Sequence, residues 1–305
     1  MKNINAKFFI SIMIALVLGS GAIQKLTSTT PPSAETQLTF VDVGQGDSIF
    51  FKTSIGETYL IDGGEAEAFK GGLHPFLLSQ GIDIIDYAIV THYHSDHIGG
   101  IVKLLEADRI ERLVIPDYTP ENKAKDRLIK LATQNGTQIF EVSEGDVISS
   151  TDKEFHFTVL HPENGGFGKD ENNNSIVGKL DCFGTDILLT GDLEADGEAA
   201  LTEKYDLETD ILKVGHHGSQ TSSSPEFLAE ADPTYAVIQC GKDNSYGHPH
   251  YEVLERLEND DVRIYRTDID GNITFFLSEN GLESIKTTKD YRGYGFGNLG
   301  LGQTN

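Results

Sequence analysis

Two cysteines, two methionines, nine prolines and no tryptophan occur in the 305 residues, and lysine plus arginine total 24 against 48 aspartates and glutamates. So few cysteines exclude a disulfide framework. Cys182 and Cys240 each sit in an apolar run, VGKLDCFG and YAVIQCG, which reads as two buried thiols; a single disulfide is the alternative for an exported chain. The shortage of cations leaves a formal charge of -24, so the surface as a whole repels polyanions. Tight binding of long nucleic acid is thereby excluded unless a local site overrides that field. Long apolar stretches are scarce too. Residues 8–23, FFISIMIALVLGSGAI, form the one uncharged run of that kind, short of the roughly 20 residues that usually span a bilayer although about 17 can suffice.

What is present suffices for a folded protein. Hydrophobic residues make up 38% of the chain, enough for the core of one large domain or two small ones. Lys2 and Lys7 precede the apolar run, and the polar, proline-bearing QKLTSTTPPSAETQ follows it, the layout of an export signal or of an uncleaved N-terminal anchor. Nothing amphipathic marks the run as a buried core helix, and no cysteine follows it to take a lipid. The expected organisation is a signal peptide or membrane anchor at 1–23, a linker at 24–36, one continuous folded domain at 37–287 and a tail rich in glycine and aromatics at 288–305. Such a chain works outside the cytoplasmic membrane, either secreted or held at its outer face through its N-terminus.

Within 37–287, β-type runs come first: LTFVDVG, SIFFKTS and TYLIDGG. Helical and strand patterns then alternate, from the helix HIGGIVKLLEA through the strand ERLVIP to the helix ENKAKDRLIKLATQNG, which a glycine ends. The alternation continues to the last strands, VRIYRT and NITFFLS. Mixed alternation of this kind predicts α/β layers, with sheet in the middle and helices outside.

The stretch IVTHYHSDHIGG, residues 89–100, concentrates the chemistry. A strand delivers Thr91 and then His92, His94, Asp96 and His97 to its carboxyl end, where α/β proteins place their sites. His92 and His94 can turn to one ion, and Asp96 and His97 to a second. Imidazole with carboxylate suits zinc, manganese or iron, and the absence of nearby cysteine argues against a thiolate site. Gly99 and Gly100 let the following helix approach closely. Further ligand types stand at other strand ends. Asp192 in ILLTGDLE follows an apolar strand, where an unpaired carboxylate is costly, so it is expected to bridge two metals, to cap the next helix, or both. His216 and His217 end ILKVGHH, and His248 and His250 lie in NSYGHPHYE. Asp62 in TYLIDGG either orients a histidine or merely turns the chain.

The sequence THYHSDH resembles the HxHxDH signature of the metallo-β-lactamase fold hydrolases, with Asp62, Asp192 and the late histidines in that family's order. Within the superfamily, FVDVGQGDSIF, LIDGG, ENNNSIVGKL, LLTGDLE, LKVGHHGS and YGHPHYEVLERL resemble the hydrolase domain of the ComEC competence-channel family, in a free-standing, exported version. The resemblance implies an α/β fold of the metallo-β-lactamase type, an αββα sandwich with two mixed central sheets flanked by helices. It implies two divalent metal ions, zinc or manganese, the first held by His92 and His94, the second by Asp96 and His97, with Asp192 bridging. One of His216 and His217, or else His248, would complete the ligands of the second metal. The superfamily's further histidine before the bridging aspartate is missing, and Asn172, Asn173, Asn174 or Ser175 takes its space; His161 is the one histidine nearby.

Such a site supports hydrolysis: two cations about 3.5–4 Å apart acidify a water and clamp the oxygens of a phosphodiester. Asp96 is expected to orient that water or accept its proton, and His248 to protonate the leaving group. Lys213, Ser219, Thr221, Ser222 and the asparagine run are expected to hold phosphate oxygens, and Gln45 and Asp47 of VGQGDS either line the cleft or belong to a simple hairpin. The leading expectation is an exported metal-dependent phosphodiesterase or nuclease acting on DNA or RNA, of the kind linked to DNA uptake, with no protein partner. A hydrolase of a small ester or lactam is the second reading, and a non-catalytic metal-bearing surface module the third.

Overall fold

The computed structural model describes residues 35–118 and 122–289. The expected leader and linker up to residue 34, and the tail beyond residue 289, lie outside the described residues.

The chain opens with strands β1 (Thr36–Phe40), β2 (Ile49–Lys52) and β3 (Thr58–Ile61), then helix α1 (Leu73–Ser79), β4 (Ile85–Ile89), α2 (Ser95–Glu106), β5 (Ile110–Pro116), α3 (Lys123–Asn135) and β6 (Gln138–Val142). A second run follows: β7 (Val147–Ser149), β8 (His156–His161), β9 (Val177–Cys182), β10 (Thr185–Leu189), α4 (Ala195–Thr202), β11 (Ile211–Lys213), α5 (Pro225–Ala231), β12 (Tyr235–Ile238), α6 (Tyr251–Asn259) and β13 (Arg263–Arg266). Helix α7 (Thr267–Asp270) leads back to β14 (Ile273–Ser278) and β15 (Gly281–Thr287).

Two sheets result. One runs β15-β14-β1-β2-β3-β4-β5-β6 and the other β13-β12-β11-β10-β9-β8-β7, each with parallel and antiparallel neighbours. Alternation along each strand sends one set of side chains between the sheets and the other set outward. Phe40, Phe51, Tyr59, Phe155, Phe157 and Ile187 belong to the central core, where the Tyr59 and Phe155 rings stack 3.9 Å apart. The outward faces of β2 to β5 are covered by α1, α2 and α3 through Leu77, Ile101, Leu105 and Leu128, and those of β10 to β12 by α4, α5 and α6 through Leu201, Phe227 and Leu257. This is the expected αββα sandwich. Cys182 and Cys240 are free and buried, so the two thiols form no disulfide. Among the described residues no helix is long and apolar enough to cross a membrane.

Three strands carry little apolar signal in the sequence: β6, β7 and β15. All three are sheet edges, where one side has no strand neighbour and few side chains are buried. Helix α1 is short and holds Pro75 in its first turn, a position that tolerates proline but hides the helical pattern.

Gly99 and Gly100 do more than loosen the start of α2. A Cβ on Gly99 would strike the backbone of Ala66, and one on Gly100 the carbonyl of Gly63, so the helix lies directly on the loop after β3. That contact holds Asp62 under the metal-ligand loop. Gly100→Ala is expected to lower unfolding free energy in urea by at least about 2 kcal/mol through overpacking. Gly71→Ala, whose added methyl has only ordinary contact, should stay within about 0.5 kcal/mol of the parent.

Candidate metal centre

Every ligand-type side chain singled out in the sequence sits in a loop at a strand's carboxyl end or at the helix start that follows. The loop after β4 carries Thr91, His92 and Tyr93 into α2, with His94 as its N-cap and Asp96 and His97 in its first turn. After β10 the chain turns through Thr190 and Gly191 to Asp192. After β11, His216 and His217 both adopt left-handed backbone (φ 48 and 55), which sends consecutive rings to different places, 6.0 Å apart. His217 is buried, whereas His216 stays at the rim.

Asp192 is the point where these loops meet. Its Oδ2 lies 3.1 Å from His97 Nε2, 3.4 Å from His217 Nε2, 3.8 Å from His92 Nε2 and 3.9 Å from His216 Nε2. His92 Nε2 is 3.1 Å from His94 Nδ1, and Asp96 Oδ2 is 3.3 Å from His217 Nε2. Two donor sets follow, His92 with His94 and Asp192, and Asp96 with His97 and His217; within each, the ligand atoms lie within 4.8 Å of one another.

Behind the ligands stands a second layer that fixes each ring. Asp62, in left-handed backbone at the end of β3 (φ 58), accepts the Thr91 amide at 2.9 Å and the Thr91 hydroxyl at 2.6 Å, and its Oδ2 lies 2.8 Å from His97 Nδ1. Thr91 Oγ1 in turn meets His92 Nδ1 at 3.1 Å. His217 Nδ1 donates to the Gln239 carbonyl at 3.0 Å, with Asp47 Oδ1 3.2 Å away. All three buried imidazoles are thus held through Nδ1, which leaves Nε2 for the centre.

The charges are those of a cation site. Burial alone raises a carboxyl, yet the His217 and His97 rings hold Asp192 well below the usual range. Burial disfavours a charged imidazole, but Asp192 with Asp62 drives His97, and Asp192 with Asp47 drives His217, well above an ordinary histidine. His92 goes the other way, lowered by burial and by the positive His97. Three buried atoms, His97 Nε2, His217 Nε2 and Asp192 Oδ1, have no hydrogen-bond partner. Orphaned donor atoms converging on one carboxylate fit divalent cations with nitrogen and oxygen preference.

Several expected substrate contacts are instead structural. Lys213 cannot reach a phosphate: it is fully buried, its Nζ 2.8 Å from Asp47 Oδ2 and donating to the Val214 carbonyl. Asp47 accordingly braces Lys213 and His217 rather than lining a cleft, and Gln45 accepts the Gly241 amide at 3.1 Å. Asn173 Oδ1 accepts the Glu194 amide, and Asn174 closes the loop through Phe167 and Asp170 with both ends of its amide spent on backbone. Ser175 stands behind His92, 3.4 Å from its Nδ1, and accepts the Asp192 amide at 3.1 Å. His161 is bound to the Asn173 carbonyl at 2.7 Å and stays away from the centre. Buried Ser219 meets Thr221 at 3.0 Å, and Thr221 donates to Glu194 at 3.0 Å. Ser222 is buried on the Gly215 and Ser219 carbonyls.

His216 and His248 fall outside both donor sets. His216 Nδ1 is 3.2 Å from both Thr221 Oγ1 and Glu194 Oε1. Glu194 carries no sequence signal beyond its place two residues after Asp192. His248 stands at the mouth with its ring centre 6.1 Å from that of His217, and burial together with the His217 charge lowers it to about 4.

Residues 41–242 match the model of the metallo-beta-lactamase superfamily, and the chain belongs to that superfamily. Its fold is similar to that of the metallo-beta-lactamase fold protein YhfI from Bacillus subtilis, with TM-score 0.51 and 14% identity over 75% of this chain and 96% of that one. In sequence it is similar to ComE operon protein 3 of Bacillus subtilis (strain 168), 36% identical over 260 residues, which is 80% of this chain and 33% of the relative. It is likewise similar to the competence protein ComA of Neisseria gonorrhoeae, 31% identical over 255 residues, 83% of this chain and 34% of the relative. The chain therefore spans about a third of the length of these curated relatives.

The layered site can be probed through its protons and through its supports. Ligands must shed protons to bind a cation, and Asp192, Asp62 and Asp47 favour protonated His97 and His217, so zinc and manganese affinity should rise with pH through the neutral range. Asp62→Asn should weaken metal affinity about 10- to 100-fold by isothermal titration, as loss of an orienting carboxylate does. Lys213→Ala should cost about 3–5 kcal/mol of stability in urea, because it strands the Asp47 charge in the interior; a phosphate-binding lysine would alter KM and leave stability untouched.

Proposed function

We propose that this protein is an exported, metal-dependent phosphodiesterase that cleaves DNA or RNA. The observation that carries this reading is the meeting of two donor sets on one buried carboxylate, Asp192. His92, His94 and Asp192 would hold one divalent ion, zinc or manganese, and Asp96, His97, His217 and Asp192 the other. Such a pair of ions supplies an activated water and a clamp on the attacking and leaving oxygens of an in-line displacement. Similarity to a relative named for competence, ComA of Neisseria gonorrhoeae, favours a nucleic-acid backbone over a lactam or small ester.

The chain's own residues divide the remaining work. Asp96, in the first turn of α2 with its Oδ2 3.3 Å from His217 Nε2, orients the attacking water besides holding the ion. His248 stands at the mouth, its ring centre 5.7 Å from that of His216, and is one candidate to supply the leaving-group proton. His216 is the better-placed donor, since Glu194 and Thr221 hold its Nδ1 and its Nε2 faces Asp192 at 3.9 Å. Buried Asp62, Thr91 and Gln239 keep the three buried rings aimed inward throughout. The basic, apolar N-terminus of the sequence supports action outside the cytoplasmic membrane.

The test is hydrolysis by the full chain, loaded separately with manganese and zinc, of single-stranded DNA, double-stranded DNA, RNA, a chromogenic phosphodiester and a chromogenic lactam. Phosphodiester cleavage should vanish with chelator and fall at least about 1,000-fold in Asp192→Asn. Turnover of the lactam alone, or no turnover with both ions bound, would overturn the proposal.

A further inference from the structure

Beside the metal centre lies a cleft of about 1010 Å³ that the mechanism above does not use. It runs between α2, the start of α3 and the loop before α1. Phe69 is the partly exposed aromatic ring of its lining, with Tyr93, Ile98 and Val102 buried behind the surface, and Lys70, Lys103, Lys123 and Arg127 also line it. Tyr93 sits between His92 and His94 in the chain, and Ser95 follows His94, so the cleft begins one residue from the first donor set. Ser95 Oγ fixes the near wall by donating to Glu65 at 2.9 Å.

The charge balance here departs from that of the whole molecule. Four cations face Glu65, Glu67 and Glu106, whereas the chain carries two acids for each base. Lys103 and Arg127 share the exposed Glu106, at 2.9 and 2.6 Å. Exposed pairs of this kind contribute little, so a phosphate can take over either partner at small cost. Lys70 and Lys123 form no ion pair among the described residues. A basic rim beside a partly exposed aromatic ring is a combination that holds single strands, with phosphates on the cations and a base against the ring.

We infer that this cleft is the groove that holds the single-stranded stretch of nucleic acid next to the bond being cut, an inference that rests on the phosphodiesterase reading. The helix rise places Lys103 about 12 Å along α2 from Ser95, and Arg127 stands beside it through their shared Glu106, with Lys70 and Lys123 lining the same cleft. The site's local field thereby overcomes a surface that repels polyanions elsewhere. A base can lie against the Phe69 ring only when it is unpaired, which makes single strands the preferred form.

The deciding experiment is fluorescence anisotropy of a labelled single-stranded oligonucleotide with the full chain and with a Lys70→Ala, Lys123→Ala, Arg127→Ala variant. Thermal melting checks that the variant is folded. The variant should bind at least about tenfold more weakly at low salt, with a log K against log salt slope shallower by about 2. It should hydrolyse the small chromogenic phosphodiester as fast as the parent does. Unchanged oligonucleotide affinity and slope would overturn the groove, as would loss of binding to phosphatidylserine vesicles with oligonucleotide binding intact. Because anisotropy needs no turnover, it decides the groove even if the parent cleaves no phosphodiester, the result that would sink the activity reading.

Discussion

The structure turns on one expensive act, the burial of the Asp192 carboxylate. A lone charge at that depth costs several kcal/mol, and the protein answers it with imidazoles drawn from two separate sheets. Each ring needs its outer nitrogen occupied so that the inner one faces Asp192. Asp62, Thr91 and the Gln239 carbonyl do this, and Asp47 is in turn kept ionised against its burial by Lys213. The shape of the loops follows from these demands, down to the left-handed backbone of Asp62, His216 and His217.

The layered α/β architecture is legible in the sequence because central strands are buried on both faces and read as unbroken apolar runs. LTF, YAIV, ILL and YAVI all behave this way. The edges β6, β7 and β15 are illegible for the same reason inverted: they bury too little to leave a trace. The ligand residues His92, His94, Asp96, His97 and Asp192 stand out because so dense a set of donors at strand ends is costly to bury without a cation.

Roles one layer further out are harder to see. Lys213, Asn173 and Asn174 have the right chemistry for phosphate, and only the fold reveals that Lys213 Nζ, Asn173 Oδ1 and the Asn174 amide are already engaged. His217 and His216 are adjacent and identical in type, yet two successive left-handed residues put one inside and the other at the mouth. Sequence spacing cannot separate them, because the difference lies in backbone angles and not in side-chain chemistry. Glu194 gains its importance solely from lying near His216 in space.

The division of the donor sets between the two sheets carries a mechanical consequence. His92 to His97 hang from the first sheet, whereas Asp192 and His217 hang from the second, and the segments lie far apart along the chain. Cations seated there would act as sutures between the halves of the sandwich, closing long loops whose freedom in the unfolded chain is correspondingly large. Loading with metal and consolidation of the sandwich then become a single event. Without such ions the sandwich would be slacker, and its seam more open to proteases.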